Sequence, residues 1–180
     1  VETKYCIAVS EVLLDAGCDA VLPTSDVAGN NGPFMSPKMF REFLFPWLKA
    51  ECDAAHAKGK YLIKHTDGNT WPLLDMMIEA GVDAWHGIQP NIGMALPELQ
   101  KRYGGRLCFW GGVDVDTLVA GTEQDVAEQV RIACESAPPE GGLVLTCGNT
   151  VMVGVKYSNY LAMLQAAKTY GQRQRAASAQ

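Results

Sequence analysis

A chain of 180 residues, 48% hydrophobic and 19% charged, has the composition of a folded globular protein, which excludes an extended disordered polypeptide. Its 15 Lys and Arg stand against 20 Asp and Glu, a formal charge of -5 with no basic cluster, and this argues against nucleic acid as a partner. The apolar runs fall far short of the roughly 20 residues that cross a bilayer, and the first residues lack a basic-then-apolar leader pattern, so no membrane association is expected.

Residues 1–16 carry Ile7, Val9, Val12, Leu13 and Leu14 at helical spacing, with Gly17 as a stop. A short strand from Asp19 runs through Ala20, Val21 and Leu22 into the polar Ser25-Asp26 and a loop rich in Gly and Asn. Ser36-Pro37 reads as an N-cap followed by a first-turn Pro, opening a helix that reaches Lys58-Gly59 and is bent or broken at Pro46. Strands are expected at 60–65, 82–88, 106–111 and 142–146. Helices are expected at 70–80, 94–103, 122–136 and 157–170, the third of these capped by Thr122 with Glu123 and Asp125 in its first turn.

Five strands, each followed by a helix, define an α/β protein with right-handed crossovers and a parallel sheet. No GxGxxG or Walker loop follows any strand, so a nucleotide-binding open sheet lacks its usual signature. Polar residues gather instead where the strands end: Asp26, His65 and Asp67, His86 and Gln89, Asp114, Cys147 and Asn149. A ring of chemistry built from successive strand ends is how a (β/α)8 TIM-type barrel makes its site. Such a barrel needs about 250 residues, so five βα units are expected to form part of one, either as a piece of a longer protein or completed by another copy. The expected boundaries are a barrel portion at 1–172 and a disordered tail at 173–180.

In an extended strand, His65 and Asp67 project to the same side and can meet one ion or one substrate group. The competing reading has Asp67 or Asn69 capping the following helix while His65 packs. Cys147, at the last strand end, can join His65 and Asp67 as a third zinc ligand, or be a buried structural thiol. Gly111-Gly112-Val113-Asp114 can present backbone N–H groups and a carboxylate to a ligand, or be a plain strand-to-helix turn. Asp26 can serve as a general base, a substrate acceptor or a turn residue. His86 can line the pocket or pack, whereas His56, inside the long helix, is read as a surface or packing residue. The six cysteines show no CxxC pair or regular spacing, which points to a reduced, cytoplasmic compartment.

The succession Asp26-Val-Ala-Gly, Gly32-Pro-Phe-Met-Ser-Pro, His65-Thr-Asp-Gly-Asn, Gly81-Val-Asp, Gly111-Gly-Val-Asp114, Leu118-Val-Ala-Gly-Thr122 and Asn159-Tyr-Leu-Ala-Met163 resembles the C-terminal half of the uroporphyrinogen decarboxylase family. That resemblance implies a (β/α)8 barrel and one of two chemistries. The family's decarboxylases remove acetate carboxyl groups from a tetrapyrrole without a cofactor, protonating a pyrrole ring and stabilising the cation with a carboxylate. Its methyltransferases use zinc, held by a His-x-Cys pair and a later Cys, to activate a thiol that accepts a methyl group from a corrinoid protein. Here His65 matches the methyltransferase His, while Asp67 stands at the Cys position. Asn149, or Cys147 after a two-residue shift, occupies the late His or Cys position. Asp26 falls near a substrate-contacting Ser of the decarboxylases and Asp114 on the Asp of their Gly-Asn-Leu-Asp motif. By the same resemblance, the decarboxylases' key carboxylate and basic anchors belong to an N-terminal half outside this sequence.

The leading expectation is therefore a cofactor-free decarboxylase acting on a carboxylated small molecule. Asp26, His65, Asp67 and Asp114 are its catalytic candidates, and His86, Gln89, Gly111, Gly112 and Asn149 its substrate-binding ones. The alternative is a zinc-dependent methyltransferase with His65, Asp67 and Cys147 on the metal and a corrinoid protein as partner. A further alternative is a ligand-binding or assembly module without catalysis. A homo-oligomer, or completion by the N-terminal half, is expected in each case.

Overall fold

A computed structural model describes the backbone of residues 2–138 and 140–178, and side chains within 3–138 and 140–171. The chain divides into two compact units, residues 1–86 and 87–180. Both are α/β with parallel strands, as the alternation of elements requires.

The first unit opens with α1 (Glu2–Asp15) and β1 (Ala20–Val21), followed by a hairpin of β2 (Ala28–Gly29) and β3 (Gly32–Pro33). The helix expected to begin at Ser36 starts there: the Ser36 hydroxyl accepts the Met39 N–H at the N-cap of α2 (Pro37–Met39). A π-helical segment at Phe40–Leu44 then leads into α3 (Phe45–Ala57). Pro46 has no N–H to continue the regular ladder, and the Phe45 N–H reaches back five residues to the Phe40 carbonyl. β4 (Tyr61–His65), α4 (Leu74–Ala80) and β5 (Ala84–His86) complete the unit.

β1 pairs in parallel with β4, and β4 in parallel with β5, with His65 opposite His86. α4 starts four residues later than the spacing suggests, after a turn at residues 71–73 that contains Pro72. In that turn the Thr70 carbonyl accepts the N–H groups of both Leu73 and Leu74. His56 and Asp83 form a staple at the other end of β4: Asp83 Oδ2 lies 2.8 Å from His56 Nε2 and accepts the Leu62 N–H at 2.8 Å.

The second unit contains a 3-10 turn at Pro90–Ile92, α5 (Leu96–Tyr103), β6 (Cys108–Val113), α6 (Val115–Ala120), α7 (Glu123–Ser136), β7 (Leu143–Cys147) and α8 (Tyr157–Ser178). β6 and β7 are parallel, from Phe109 opposite Leu143 to Val113 opposite Cys147. Val113, Leu118, Val126, Val130, Cys134, Cys147, Met163 and Ala166 form its buried core. The expected Thr122 cap is a complete capping box, with the Asp125 carboxylate accepting the Thr122 N–H in return. Residues 173–178, expected as a disordered tail, continue α8 as helix; residues 179–180 of that tail lie outside the described residues. Gln, Arg and Ala propagate a helix easily once an earlier turn has nucleated it.

Gly112 has φ +115, and a Cβ there would lie 2.9 Å from the Ala133 Cβ on α7. Strand and helix therefore approach too closely for any side chain at this position. We expect Gly112→Ala to cost about 1–3 kcal/mol, from the left-handed backbone and the packing clash together, measured by urea denaturation.

Candidate functional site

The site is assembled by the alternation of β4 and the turn that follows it. Lys64 and Thr66 point to one side and are buried. The Lys64 ammonium donates to the Ser25 carbonyl and hydroxyl, both at 2.9 Å, and the Thr66 hydroxyl accepts the Val27 N–H at 3.0 Å. Between these two grips sits Asp26, whose Oδ1 accepts the Asp67 N–H at 3.1 Å. His65, on the other side of the strand, brings Nε2 to 3.9 Å from Asp26 Oδ1 and 4.0 Å from Asp67 Oδ2. These separations exceed hydrogen-bond length but keep two carboxylates beside one imidazole nitrogen. His65 Nδ1 meets His86 Nδ1 at 2.9 Å.

The turn His65-Thr-Asp-Gly-Asn is held against the hairpin by its backbone. Gly68 has φ +89, and a Cβ there would come within 2.7 Å of the Ala28 carbonyl carbon and oxygen. The Asn69 N–H donates to the Gly29 carbonyl at 2.9 Å, and the Trp85 indole N–H to the Thr66 carbonyl at 3.0 Å. Asn69 also caps the next turn, its Oδ1 accepting the Trp71 N–H.

Sequence reasoning missed Ser25, Lys64 and Thr66. A lysine inside the strand Tyr-Leu-Ile-Lys-His, at the same alternation as Leu62, was the available signal, since a buried Lys needs partners. Burial pushes the Lys64 ammonium below its ordinary pKa, opposed by the nearby Glu51 and Asp26 charges. Burial likewise raises Glu51, and Lys64 opposes that shift. Both residues line a cavity of about 120 Å³ whose walls include Phe40, Leu44 and Trp47.

The candidates of the second unit have structural occupations. Asp114 is the N-cap of α6, its Oδ1 accepting the Asp116 N–H at 2.9 Å, while its own N–H donates to Gln129 Oε1 at 2.8 Å. Gly111 packs on Ile88, and Gly112 on Ala133. The Cys147 thiol is buried and donates to the Asn149 carbonyl. Asn149 Oδ1 accepts the Thr150 N–H, and Gln89 precedes the 3-10 turn with its carbonyl accepting from Ile92 and Met94. Among the described residues, the group whose ligand atoms all lie within 4.8 Å of one another, as a metal would require, is Asp26, His65 and Asp67.

Carboxylates and an imidazole gathered at strand ends, in an α/β unit with parallel strands, are the arrangement by which a barrel-type scaffold builds a site. The family model described as uroporphyrinogen decarboxylase (URO-D) matches residues 1–170, and the chain belongs to that family. Among solved structures, a methyltransferase from Methanosarcina mazei is similar at 24% identity and a TM-score of 0.74, over 93% of this chain and 47% of that one. The chain thus spans about half the length of that structure, and the likeness carries the fold: part of a TIM-type barrel. A search among curated proteins gave no match. No helix among the described residues is long and apolar enough to cross a membrane.

Thr66→Val keeps the shape of the side chain but leaves the buried Val27 N–H without its acceptor. We expect a loss of about 1–3 kcal/mol in urea unfolding, with Thr66→Ser restoring most of it.

Proposed function

We propose that the chain supplies the proton-handling side of a decarboxylase-type lyase acting on a carboxylated, tetrapyrrole-like small molecule, without a cofactor. The reading is carried by the pair of carboxylates, Asp26 and Asp67, flanking Nε2 of His65. A proton on that nitrogen is positioned for delivery to an electron-rich ring carbon, and the two carboxylates stabilise the cation so formed. Carbon dioxide then leaves, its bonding electron pair neutralises the ring as an exocyclic methylene, and a second proton completes the new methyl group while the ring carbon gives back the first. Further βα units of the barrel would supply the anchors for the remaining substrate carboxylates.

A second reading, zinc-dependent methyl transfer from a corrinoid protein to a thiol, is favoured by the mutual approach of the Asp26, His65 and Asp67 ligand atoms within 4.8 Å. One imidazole and two carboxylates fit a divalent cation. They would hold it through Nε2 and the carboxylate oxygens, and the metal would supply the Lewis acidity that turns a bound thiol into a thiolate. This donor set is richer in oxygen than the two-Cys set of the resembling methyltransferases.

The full-length protein, purified without chelators, separates the readings by metal analysis and by turnover of acetate-bearing tetrapyrroles. A metal-free protein that forms product supports the lyase, and His65→Gln is expected to lower its kcat/KM by about 100-fold or more. Stoichiometric zinc that disappears in Asp67→Ala supports methyl transfer. Absence of product at every substrate concentration overturns the lyase, and absence of both product and metal leaves a binding module.

A further inference from the structure

His65 and His86 stand opposite each other in the parallel register of β4 and β5, with ring centroids 4.8 Å apart and ring planes tilted by 39°. Their Nδ1 atoms are 2.9 Å apart. A hydrogen bond between two such nitrogens requires a proton on one and a lone pair on the other, so the two rings must hold complementary tautomers when neutral. The other side of His65 decides which ring donates. Its Nε2 faces the carboxylates of Asp26 and Asp67 at 3.9 and 4.0 Å, and two negative charges favour a proton there. A neutral ring protonated at Nε2 has a bare Nδ1.

We propose that His86 is a positioning residue for His65: its Nδ1–H donates to His65 Nδ1 and holds the Nε2–H of His65 toward the paired carboxylates. His86 then acts through His65 and need not touch substrate, a different role from the substrate contact expected of it in the sequence. The same contact also accommodates the working states of His65. As the imidazolium that delivers a proton, or as a ligand presenting the Nε2 lone pair to a cation, His65 carries a proton on Nδ1, and His86 accepts instead of donating. A residue that could only donate or only accept would stabilise one of these states alone.

The proposal rests on His65 as the working group of the site, and its test reads the ring nitrogens directly, so it fails or stands independently of turnover. The full chain, labelled with 15N in histidine and freed of metal, is observed by long-range proton–nitrogen correlation at a pH well above the ordinary imidazole value. The sequence holds 3 histidines, so His56→Gln removes the signals outside the pair and His86→Asn distinguishes the two that remain. Expected are an Nε2-protonated His65 whose Nδ1 shows a hydrogen-bonded acceptor shift, and an Nδ1-protonated His86. His86→Leu should abolish that acceptor shift on His65, and His86→Asn, with an amide donor in reach of the same position, should restore it. An Nδ1-protonated His65, identical tautomers on the two rings, or a His65 spectrum unchanged by His86→Leu overturns the proposal. Should His86→Leu fail to fold, the tautomer pair of the unsubstituted protein decides the matter alone.

Discussion

The register of β4 against the segment 25–27 is the constraint on which the site depends. Lys64 and Thr66 hold Ser25 and Val27, and the intervening residues of each segment, His65 with Asp67 and Asp26, are thereby brought to one place. Side chains of a strand alternate sides, so a slip of one residue would exchange the two sets and turn the imidazole into the helical layer. The buried ammonium makes such a slip costly, because it would lose the Ser25 oxygens in a setting where water cannot replace them. Gly68 allows the following turn to lie against the hairpin, where Asn69 completes the contact with Gly29.

The two units use polar residues at strand ends in different ways. In the first, the carboxylates and imidazoles meet one another. In the second, Asp114 closes a helix N-terminus, Gln129 ties that cap to α7 and Thr117, and Cys147 joins the apolar core. A polar residue after a strand in an α/β protein has two competing demands on it, the substrate and the orphan N–H groups of the next helix. At Asp114 the helix is served; at Asp26 and Asp67 the carboxylate oxygens converge beside His65. The cluster of carboxylates and imidazoles in the first unit thus lies on or beside β4 and β5.

Membership of the uroporphyrinogen decarboxylase family sets the scaffold, and the identity of residue 67 shapes what the scaffold can do. A carboxylate at that position offers oxygen, where the resemblance drawn from the sequence implies a thiolate under the methyltransferase reading. Oxygen donors serve harder cations and bind zinc with less covalency, and they also place negative charge where a cationic intermediate would form. The same substitution therefore bears on both readings of the site.

Much of this was legible in the linear sequence. The order of strands and helices followed from apolar runs punctuated by glycine, and the Ser36 and Thr122 caps from local hydrogen-bond chemistry, all of it interaction over a few residues. The pairing of His65 with Asp67 on one side of a strand followed from its two-residue repeat. The hairpin, the short helix α6 and the π segment before Pro46 were not legible, because each is too short to display a period. Nor could the sequence decide between ligand and cap for Asp114, assign Lys64 to Ser25, or set His86 against His65. Those outcomes turn on partners 15 to 39 residues away, and only the packing of the strands brings such groups within hydrogen-bond reach.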